Sequence, residues 1–205
     1  FFNSLVVMVA NTVLTAIVTI FAAFAFSRLK FWGKEFLFAF LLSLMMIPFE
    51  MLIITNYTTI VHFGLYNTIP ALVIPFISSI FYVYILRNFF DTVPDSLYYS
   101  ARIDGASNWK YLWRIMVPLA KPSIFTIVLL NALASWNSFM WPLYITSDSR
   151  ARTLPYGLQV FTTEAGSFPG YLMAASTVIV MPMIVLFIVA RKYIVSGVSR
   201  GGIKG

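Results

Sequence analysis

The sequence predicts an all-α, polytopic transmembrane helical bundle, and three observations support this fold class. First, 60% of the 205 residues are hydrophobic and only 10% are charged, whereas about a quarter of the residues in an ordinary soluble domain are charged. Second, the apolar residues form five runs that each approach the ~20 residues a helix needs to cross a bilayer. Third, the net charge is +7, but the basic residues flank these runs, which is typical of membrane topology.

The five predicted spans follow one another along the whole chain. The first contains no charged residue, and the second is interrupted by Pro48 and Glu50. Proline is tolerated within a span when neighbouring groups satisfy the freed backbone atoms. The spans are 4–26, 36–61, 69–90, 123–145 and 171–190.

The basic residues predict the orientation of these spans. An odd number of spans places the two chain ends on opposite sides of the membrane. Twelve of the fourteen lysines and arginines flank one side, and only Arg150 and Arg152 lie on the other. Because cytoplasmic segments carry the excess of basic residues, we expect 28–34, 91–121 and 191–205 in the cytoplasm. The C-terminus is then inside and Phe1 outside.

Several classes of site are missing from the sequence. The chain contains no cysteine and a single histidine, His62, so no metal-binding cluster and no catalytic constellation is predicted. The pattern G-x-x-x-x-G-K-[ST] of a phosphate-binding loop does not occur. Basic residues that follow membrane topology do not indicate a nucleic-acid partner. If ATP drives this protein, another chain must hydrolyse it.

The segment 91–122 is the most informative loop. Its first half reads as a helix that begins near Pro94 with Asp91 or Thr92 as its cap. Leu97, Ala101 and Asp104 then fall on one helical face, and Gly105 supplies a left-handed stop.

The second half of the loop predicts an amphipathic helix. Ser107 or Asn108 can cap it, and an apolar stripe follows at helical spacing before Pro118 and Pro122 end it. The stripe consists of Trp109, Leu112, Trp113 and Met116. One interpretation is a helix lying at the membrane interface with its tryptophans among the lipid headgroups. The other is a docking element for a cytoplasmic partner.

The same loop resembles a known family. Residues 94–107, PDSLYYSARIDGAS, followed by 115–122, IMVPLAKP, are similar to the "EAA" loop of ABC importer permeases. In that family the loop forms the coupling helix, which sits in a cleft of the ATPase subunit. The resemblance implies an ATPase-coupling role for Tyr99, Ser100, Ala101, Asp104, Gly105, Ala106, Trp109 and Trp113.

This loop departs from the family pattern at its acidic position. Tyr99 stands where the family has the glutamate of the EAA triplet, and Ser100 replaces the first alanine. In the family that glutamate can pair with a basic residue of the ATPase. Such an ion pair cannot form here, so we expect docking to depend on packing.

Further segments resemble the carbohydrate-uptake branch, in particular the maltose-type, binding-protein-dependent permeases. These segments keep the family's order and are 2–5, 64–68, 135–143, 153–158 and 197–205. The resemblance implies a type I importer permease fold, a single transmembrane domain over 1–205, and six spans in the parent protein, one of them before Phe1. It also implies that the tail 191–205 reaches toward the ATPases through Gly201, Gly202, Lys204 and Gly205.

Four polar or aromatic residues are candidates for the transport pathway. Glu50 lies well inside a predicted span, where a carboxylate usually faces a cavity or a partner; it could instead reach the outer interface beside Pro48. Asn131, Trp136 and Asn137 suit a sugar path of amide hydrogen bonds and aromatic stacking. They could equally be an interfacial tryptophan and helix-end amides.

Together these features predict a multi-pass permease subunit in the plasma or inner membrane that forms half of a sugar pathway and is not itself an enzyme. The resemblance implies a homologous second permease, two ATPase subunits that carry ATP and Mg²⁺, an extracytoplasmic sugar-binding protein, and no cofactor on this chain. Surrounding lipid completes the set of partners. An ion-coupled secondary transporter is the first alternative, and a non-transporting membrane scaffold is the second.

Overall fold

The computed structural model describes residues 1–160 and 169–198, and every regular element in these ranges is helical. This confirms the predicted all-α class. The helices are α1 Phe2–Arg28, α2 Lys34–Leu44, α3 Phe49–His62, α4 Ile69–Val73, α5 Ile80–Asp91, α6 Asp95–Ile103, α7 Asn108–Tyr111, α8 Val117–Leu119, α9 Lys121–Trp136, α10 Met140–Ile145, α11 Gly157–Val160 and α12 Pro169–Val198. A 3₁₀ turn, Ile74–Phe76, follows α4, and a π-helical turn, Leu112–Met116, follows α7.

Two helices are long and apolar enough to cross a bilayer alone. They are α1 and the segment Pro169–Ile188 of α12, which correspond to the first and fifth predicted spans. Helix α1 has 27 residues and its first charge is Arg28 in the last turn. At 1.5 Å per residue it is about 40 Å long, so it exceeds the ~30 Å hydrocarbon core.

The other candidate spans are pairs of helices that bend by more than 40° at a short break. They are α2 with α3, Ile69–Phe76 with α5, and Asn108–Leu119 with α9, and counting each pair as one span gives up to five. The interruption predicted at Pro48 is present. The amides of Met45, Met46 and Ile47 each donate to a carbonyl three residues earlier at 3.1 Å, which tightens the end of α2 before a proline that lacks an N–H.

The fourth predicted span, 123–145, is wrong as a single helix. Helix α9 ends at Trp136 and α10 begins at Met140. The Asn137 side-chain amide donates to the Leu133 carbonyl at 2.9 Å, and the Ser138 N–H donates to the Ser135 carbonyl at 3.3 Å. These bonds satisfy carbonyls at the end of α9 in place of a continued helix.

The chain divides into two compact units. The first unit comprises Phe1–Val13, Phe49–Ile77 and Leu129–Lys192, and the second comprises Leu14–Pro48, Ser78–Val128 and Tyr193–Gly205. The core of the first unit includes Leu72, Trp141 and Ile145. The Trp141 indole N–H donates to the Ala71 carbonyl at 2.9 Å, so this aromatic core residue is also fixed in orientation.

The second unit has its own core, and part of the predicted coupling loop belongs to it. Phe90 from α5 and Tyr111, Leu112 and Met116 from the loop are buried there. The loop 91–122 is therefore a packed part of this unit. Its remaining exposed surface is what a partner can reach.

Candidate functional site

Helix α6 begins differently from the prediction. A cap at Asp91 or Thr92 is wrong, because α5 continues through Asp91 and Thr92 ends it. Pro94 is the residue before α6, and no side chain caps the helix there. Asp91 is held in α5 by the Ser27 hydroxyl, which donates to its Oδ1 at 2.6 Å, and by Arg87, 3.5 Å from its Oδ2. These contacts keep Asp91 in α5, although the sequence predicted that the loop begins at this residue.

Gly105 supplies the left-handed stop after α6, as predicted. Gly105 has φ 73°. Its N–H donates to the Arg102 carbonyl at 3.1 Å, and the Ala106 N–H donates to the Ala101 carbonyl at 2.9 Å. This pair of bonds is the Schellman motif, in which a left-handed residue turns the chain back over the last helical turn. Because the motif needs a positive φ, glycine is the residue that adopts it without strain.

One face of α6 is anchored in the second unit. Ala101 and Ala106 are buried on either side of the turn. The Tyr98 hydroxyl donates to Asn108 Oδ1 at 3.0 Å, and the Tyr98 ring packs edge-on against Tyr111 at 5.0 Å between centroids. Two of the predicted coupling residues, Ala101 and Ala106, therefore position the helix and offer little contact surface of their own.

The rest of the α6 surface is exposed and carries three apolar side chains, with Tyr99 and Ile103 opposite Ala101, and with Leu97 at the edge of the anchored face. Leu97 is 43% exposed, Tyr99 53% and Ile103 86%. Ser100 and Asp104, also predicted as coupling residues, are exposed beside them. Ile103 was missed in the sequence, although its spacing of four residues from Tyr99 places the two on one face. Ile103 and Tyr99 together give this face apolar surface that another protein could cover.

The predicted stripe after Gly105 is wrong as a continuous face. Ser107 does cap α7, because its Oγ accepts from the Lys110 N–H at 3.2 Å. The Val117 N–H, however, donates to the Leu112 carbonyl five residues earlier, and this wider π turn replaces the α-helical register on which the stripe depended. Leu112 and Met116 are consequently buried in the core.

Trp109 and Trp113 lie on a different surface of the same segment. Both are exposed, and their rings lie 5.7 Å apart between centroids. Phe21 of α1 stacks on Trp109 at 5.7 Å and meets Trp113 edge-on at 6.0 Å. The two tryptophans therefore form an aromatic cluster with α1 rather than one stripe with Leu112 and Met116.

Asn131, one of the candidate pathway residues, lines a cavity in the first unit. The cavity has a volume of about 160 Å³ and also contacts Asn11, Ser135, Trp141 and Thr153. The Asn11 amide donates to Ser135 Oγ at 3.2 Å and to the Leu72 carbonyl at 3.4 Å. Asn11 Oδ1, Asn131 Oδ1 and Thr153 Oγ1 are buried without a hydrogen-bond partner in the described part of the chain.

The other pathway candidates do not join this cavity. The buried Trp136 donates its indole N–H to the Ile179 carbonyl at 3.0 Å, so its polar atom already has a partner. Asn137 closes the end of α9, as described above. Glu50 lies in the first turn of α3, where a carboxylate is favoured by the helix dipole. It lines a separate groove of about 470 Å³ with Tyr57 and Tyr144.

The loop that carries Arg150 and Arg152 is ordered by side-chain caps. Asn67, with φ 59°, accepts from the Ser147 N–H at 2.9 Å. The Asn3 amide donates to the Arg152 carbonyl at 3.0 Å. Hydrogen bonds from the Arg150 side chain and backbone hold the pKa of Asp148 well below its usual range. The Arg152 guanidinium lies 4.5 Å above the Tyr156 ring, so both arginines are held locally.

The structure thus exposes Tyr99, Ser100 and Asp104 on α6, and it places Asn131 and Glu50 at two different cavities that Trp136 and Asn137 do not line. The predicted tail contacts Gly201, Gly202, Lys204 and Gly205 lie outside the described residues.

Comparisons with known proteins agree over nearly the whole chain. The chain is 33% identical over 205 residues to the arabinooligosaccharides transport system permease protein AraQ of Bacillus subtilis (strain 168), covering 100% of this chain and 73% of that protein. It is 36% identical over 206 residues to the trehalose/maltose transport system permease protein MalG of Thermococcus litoralis, covering 99% and 74%.

A solved structure supports the fold. A chain in the crystal structure of a bacterial ABC transporter involved in the import of the acidic polysaccharide alginate has a TM-score of 0.83. The match is 24% identical and covers 94% of this chain and 73% of that chain. Residues 15–200 match the family model described as "Binding-protein-dependent transport system inner membrane component". The chain therefore belongs to the family of permease subunits of binding-protein-dependent ABC transporters.

Proposed function

We propose that this chain is the permease subunit of an ATP-driven sugar importer and that it couples to a cytoplasmic ATPase through α6 and the Gly105 turn. The observation that carries the proposal is the division of α6 into two faces. One face is fixed by Ala101, Ala106 and Tyr98, and the opposite face exposes Tyr99 and Ile103, with the partly exposed Leu97 at the edge between the two. A helix that is rigidly mounted and apolar on its outer face is suited to docking in a hydrophobic cleft of a partner.

Packing rather than an ion pair would hold this contact. Tyr99 occupies the position where the family has an acidic residue, and it shares the exposed face with Ile103. Fully burying an isoleucine or leucine side chain contributes about 1.5–3 kcal/mol. Burying Leu97 and Ile103 could therefore contribute as much binding free energy as the missing ion pair. It would not reproduce the geometric specificity of that pair.

The relatives support a substrate class and a set of partners. Proteins similar to this chain are named for the transport of arabino-oligosaccharides and of trehalose and maltose, which supports a sugar as the substrate. The subunit would pair with a homologous permease and receive sugar from an extracytoplasmic binding protein. Two ATPase subunits would carry ATP and Mg²⁺, and the basic flanks support a cytoplasmic C-terminus.

This chain would supply half of the pathway. The cavity beside Asn131 and the groove beside Glu50 offer amide, hydroxyl, carboxylate and aromatic groups, which is the chemistry that sugars require. We expect Asn131 and Glu50 to be the better pathway candidates, because Trp136 and Asn137 already use polar groups to hold their own unit.

The test replaces an exposed apolar residue on α6 and a matched one elsewhere in the second unit. Ile103→Gln should leave membrane insertion intact, because the side chain contacts little in this chain, but should reduce copurification of the ATPase and uptake of labelled sugar. Trp32→Gln is the control, since Trp32 is 99% exposed in the turn between α1 and α2. Normal uptake and ATPase recovery for Ile103→Gln would refute docking through α6.

An ion-coupled secondary transporter is the alternative that Glu50 favours, because such proteins depend on intramembrane carboxylates. Uptake in proteoliposomes separates the two. An importer of the proposed kind requires internal ATP and the binding protein and tolerates a protonophore. Uptake that needs neither, and that Glu50→Gln abolishes, would support the alternative.

A further inference from the structure

The buried Arg28 at the end of α1 joins three parts of the second unit. Its Nη1 donates to Asp95 Oδ1 in the first turn of α6, and its Nη2 donates to the carbonyls of Phe90 at 2.6 Å and Val93 at 2.5 Å. The Arg28 side chain is only 5% exposed, whereas Asp95 is 74% exposed. One guanidinium therefore binds a carbonyl near the C-terminus of α5, a carbonyl of the connector between α5 and α6, and the acid that begins α6. The helix dipole favours a cation at the end of α5, and the Asp95 carboxylate favours it at the start of α6.

A second arginine extends this arrangement to α2. Arg87 Nη2 donates to both carboxylate oxygens of Glu35, at 2.9 and 2.7 Å, and its guanidinium lies 4.0 Å above the Phe38 ring. Arg87 also approaches Asp91, to which the Ser27 hydroxyl donates. We call the set Ser27, Arg28, Glu35, Arg87, Asp91 and Asp95 the helix-end clamp. It links the end of α1, the start of α2, the end of α5 and the start of α6.

We infer that Arg28 is a positioning residue that ties the connection between α5 and α6, and with it α6, to α1, so that displacement of α6 by a docked partner reaches the membrane span. The inference rests on the proposed docking role of α6. Its physical basis is that acceptors from the end of α5, the connector and the start of α6 share one planar donor, which fixes the distances between them. The exposed face of α6 is not part of the clamp, so docking and transmission use different residues.

Asp95 contributes less than the two carbonyls. An ion pair with a largely exposed carboxylate is screened by solvent and is weak. If Arg28 were removed, the carbonyl of the buried Val93 would lose the Arg28 donor, and the Phe90 carbonyl would keep only its bond from the Val93 N–H at 3.2 Å. The clamp therefore predicts that Arg28→Gln loosens α6 far more than Asp95→Asn does. Equal partners in a surface ion pair would instead give similar effects.

The experiment uses the complete transporter in nanodiscs with its ATPase and binding protein. Arg28→Gln should leave the ATPase bound but raise hydrogen–deuterium exchange of the amides in 95–104 by on the order of tenfold. Sugar imported per ATP should fall by a similar factor. Asp95→Asn should change both by less than about twofold. Lys121→Gln removes an exposed cation at the start of α9 and should change neither.

Arg28→Lys provides a second variant if the glutamine protein is not recovered. Lysine keeps the charge but cannot bridge three acceptors with a planar fork, so exchange should still rise. Unchanged exchange in the recovered variants would overturn the clamp. Raised exchange in 95–104 with a normal amount of sugar imported per ATP would overturn the transmission of movement through Arg28. Loss of the bound ATPase would overturn it as well. If Ile103→Gln also keeps full ATPase binding and uptake, the docking proposal fails instead, whatever exchange shows.

Discussion

Three glycines in this protein have the same backbone conformation, which permits a controlled test of the docking turn. Gly33, Gly64 and Gly105 have φ values of 75°, 68° and 73°, and a Cβ added to any of them would meet no atom within 4 Å. Alanine at each position therefore introduces backbone strain and no steric clash. Only Gly105 lies in the Schellman turn that ends α6. Alanine at Gly33 or Gly64 therefore measures the effect of backbone strain without changing the docking turn.

The cost can be worked out from this geometry. A non-glycine residue in the left-handed region costs roughly 1–2 kcal/mol. Since about 1.4 kcal/mol corresponds to a tenfold change in an equilibrium constant, Gly105→Ala should lower the population of the closed turn, relative to an open one, by about 5- to 30-fold. If the ATPase binds only the closed turn, its apparent Kd rises by at most that factor.

The assay is titration of the ATPase onto the permease in nanodiscs, with thermal stability measured on the same samples. All three alanine variants should lose similar stability, and only Gly105→Ala should weaken ATPase binding. Gly105→Asp adds a charge at the same place and should abolish sugar uptake while the protein still reaches the membrane. Equal weakening by all three alanine variants, or unchanged binding with Gly105→Ala, would refute the reasoning.

Three further predictions concern topology, the tail and the outer loop. Because the chain has no cysteine, an introduced cysteine is a unique site for labelling. Ser107→Cys should react only from the cytoplasm and Ser147→Cys only from outside. Labelling of Ser107→Cys on intact cells by an impermeant reagent would overturn the orientation. Deleting 201–205 should leave insertion intact but weaken stimulated ATP hydrolysis; unchanged hydrolysis would remove the tail from coupling. Asn67→Ala should lower the apparent Tm more than Asn67→Gly does. Both variants lose the hydrogen bonds that Asn67 accepts from the backbone of 147–148, but only alanine is strained at a φ of 59°. Equal losses of Tm would contradict this reasoning.

The sequence predicted the features that depend on local chemistry. A charge-free run of the length of α1 has few alternatives to a spanning helix. Gly105 as a left-handed stop and Ser107 as a cap follow from the backbone preferences of those residues, and both are confirmed. The break at Pro48 follows from the missing N–H. In each case the deciding interaction lies within a few residues of the chain.

Features decided by distant partners were not predictable. The extension of α5 to Asp91 depends on Ser27, 64 residues away. The π turn after α7 altered a register that the apolar spacing alone indicated. In the sequence, Arg28 and Arg87 indicate only topology, because a single sequence does not reveal that their acceptors lie on other helices. The exposure of Ile103 likewise depends on which face of α6 the rest of the unit covers.

The Schellman turn has a consequence for how this surface can diversify. The end of α6 is set by backbone hydrogen bonds and by the small side chains of Ala101 and Ala106, none of which involves Leu97, Tyr99 or Ile103. Substitutions in that outward trio should therefore be nearly independent of folding, since residues without shared contacts have additive effects on stability. A transporter built this way can change its specificity for an ATPase subunit by exchanging three side chains, while the backbone turn and the buried alanines that position α6 stay unchanged.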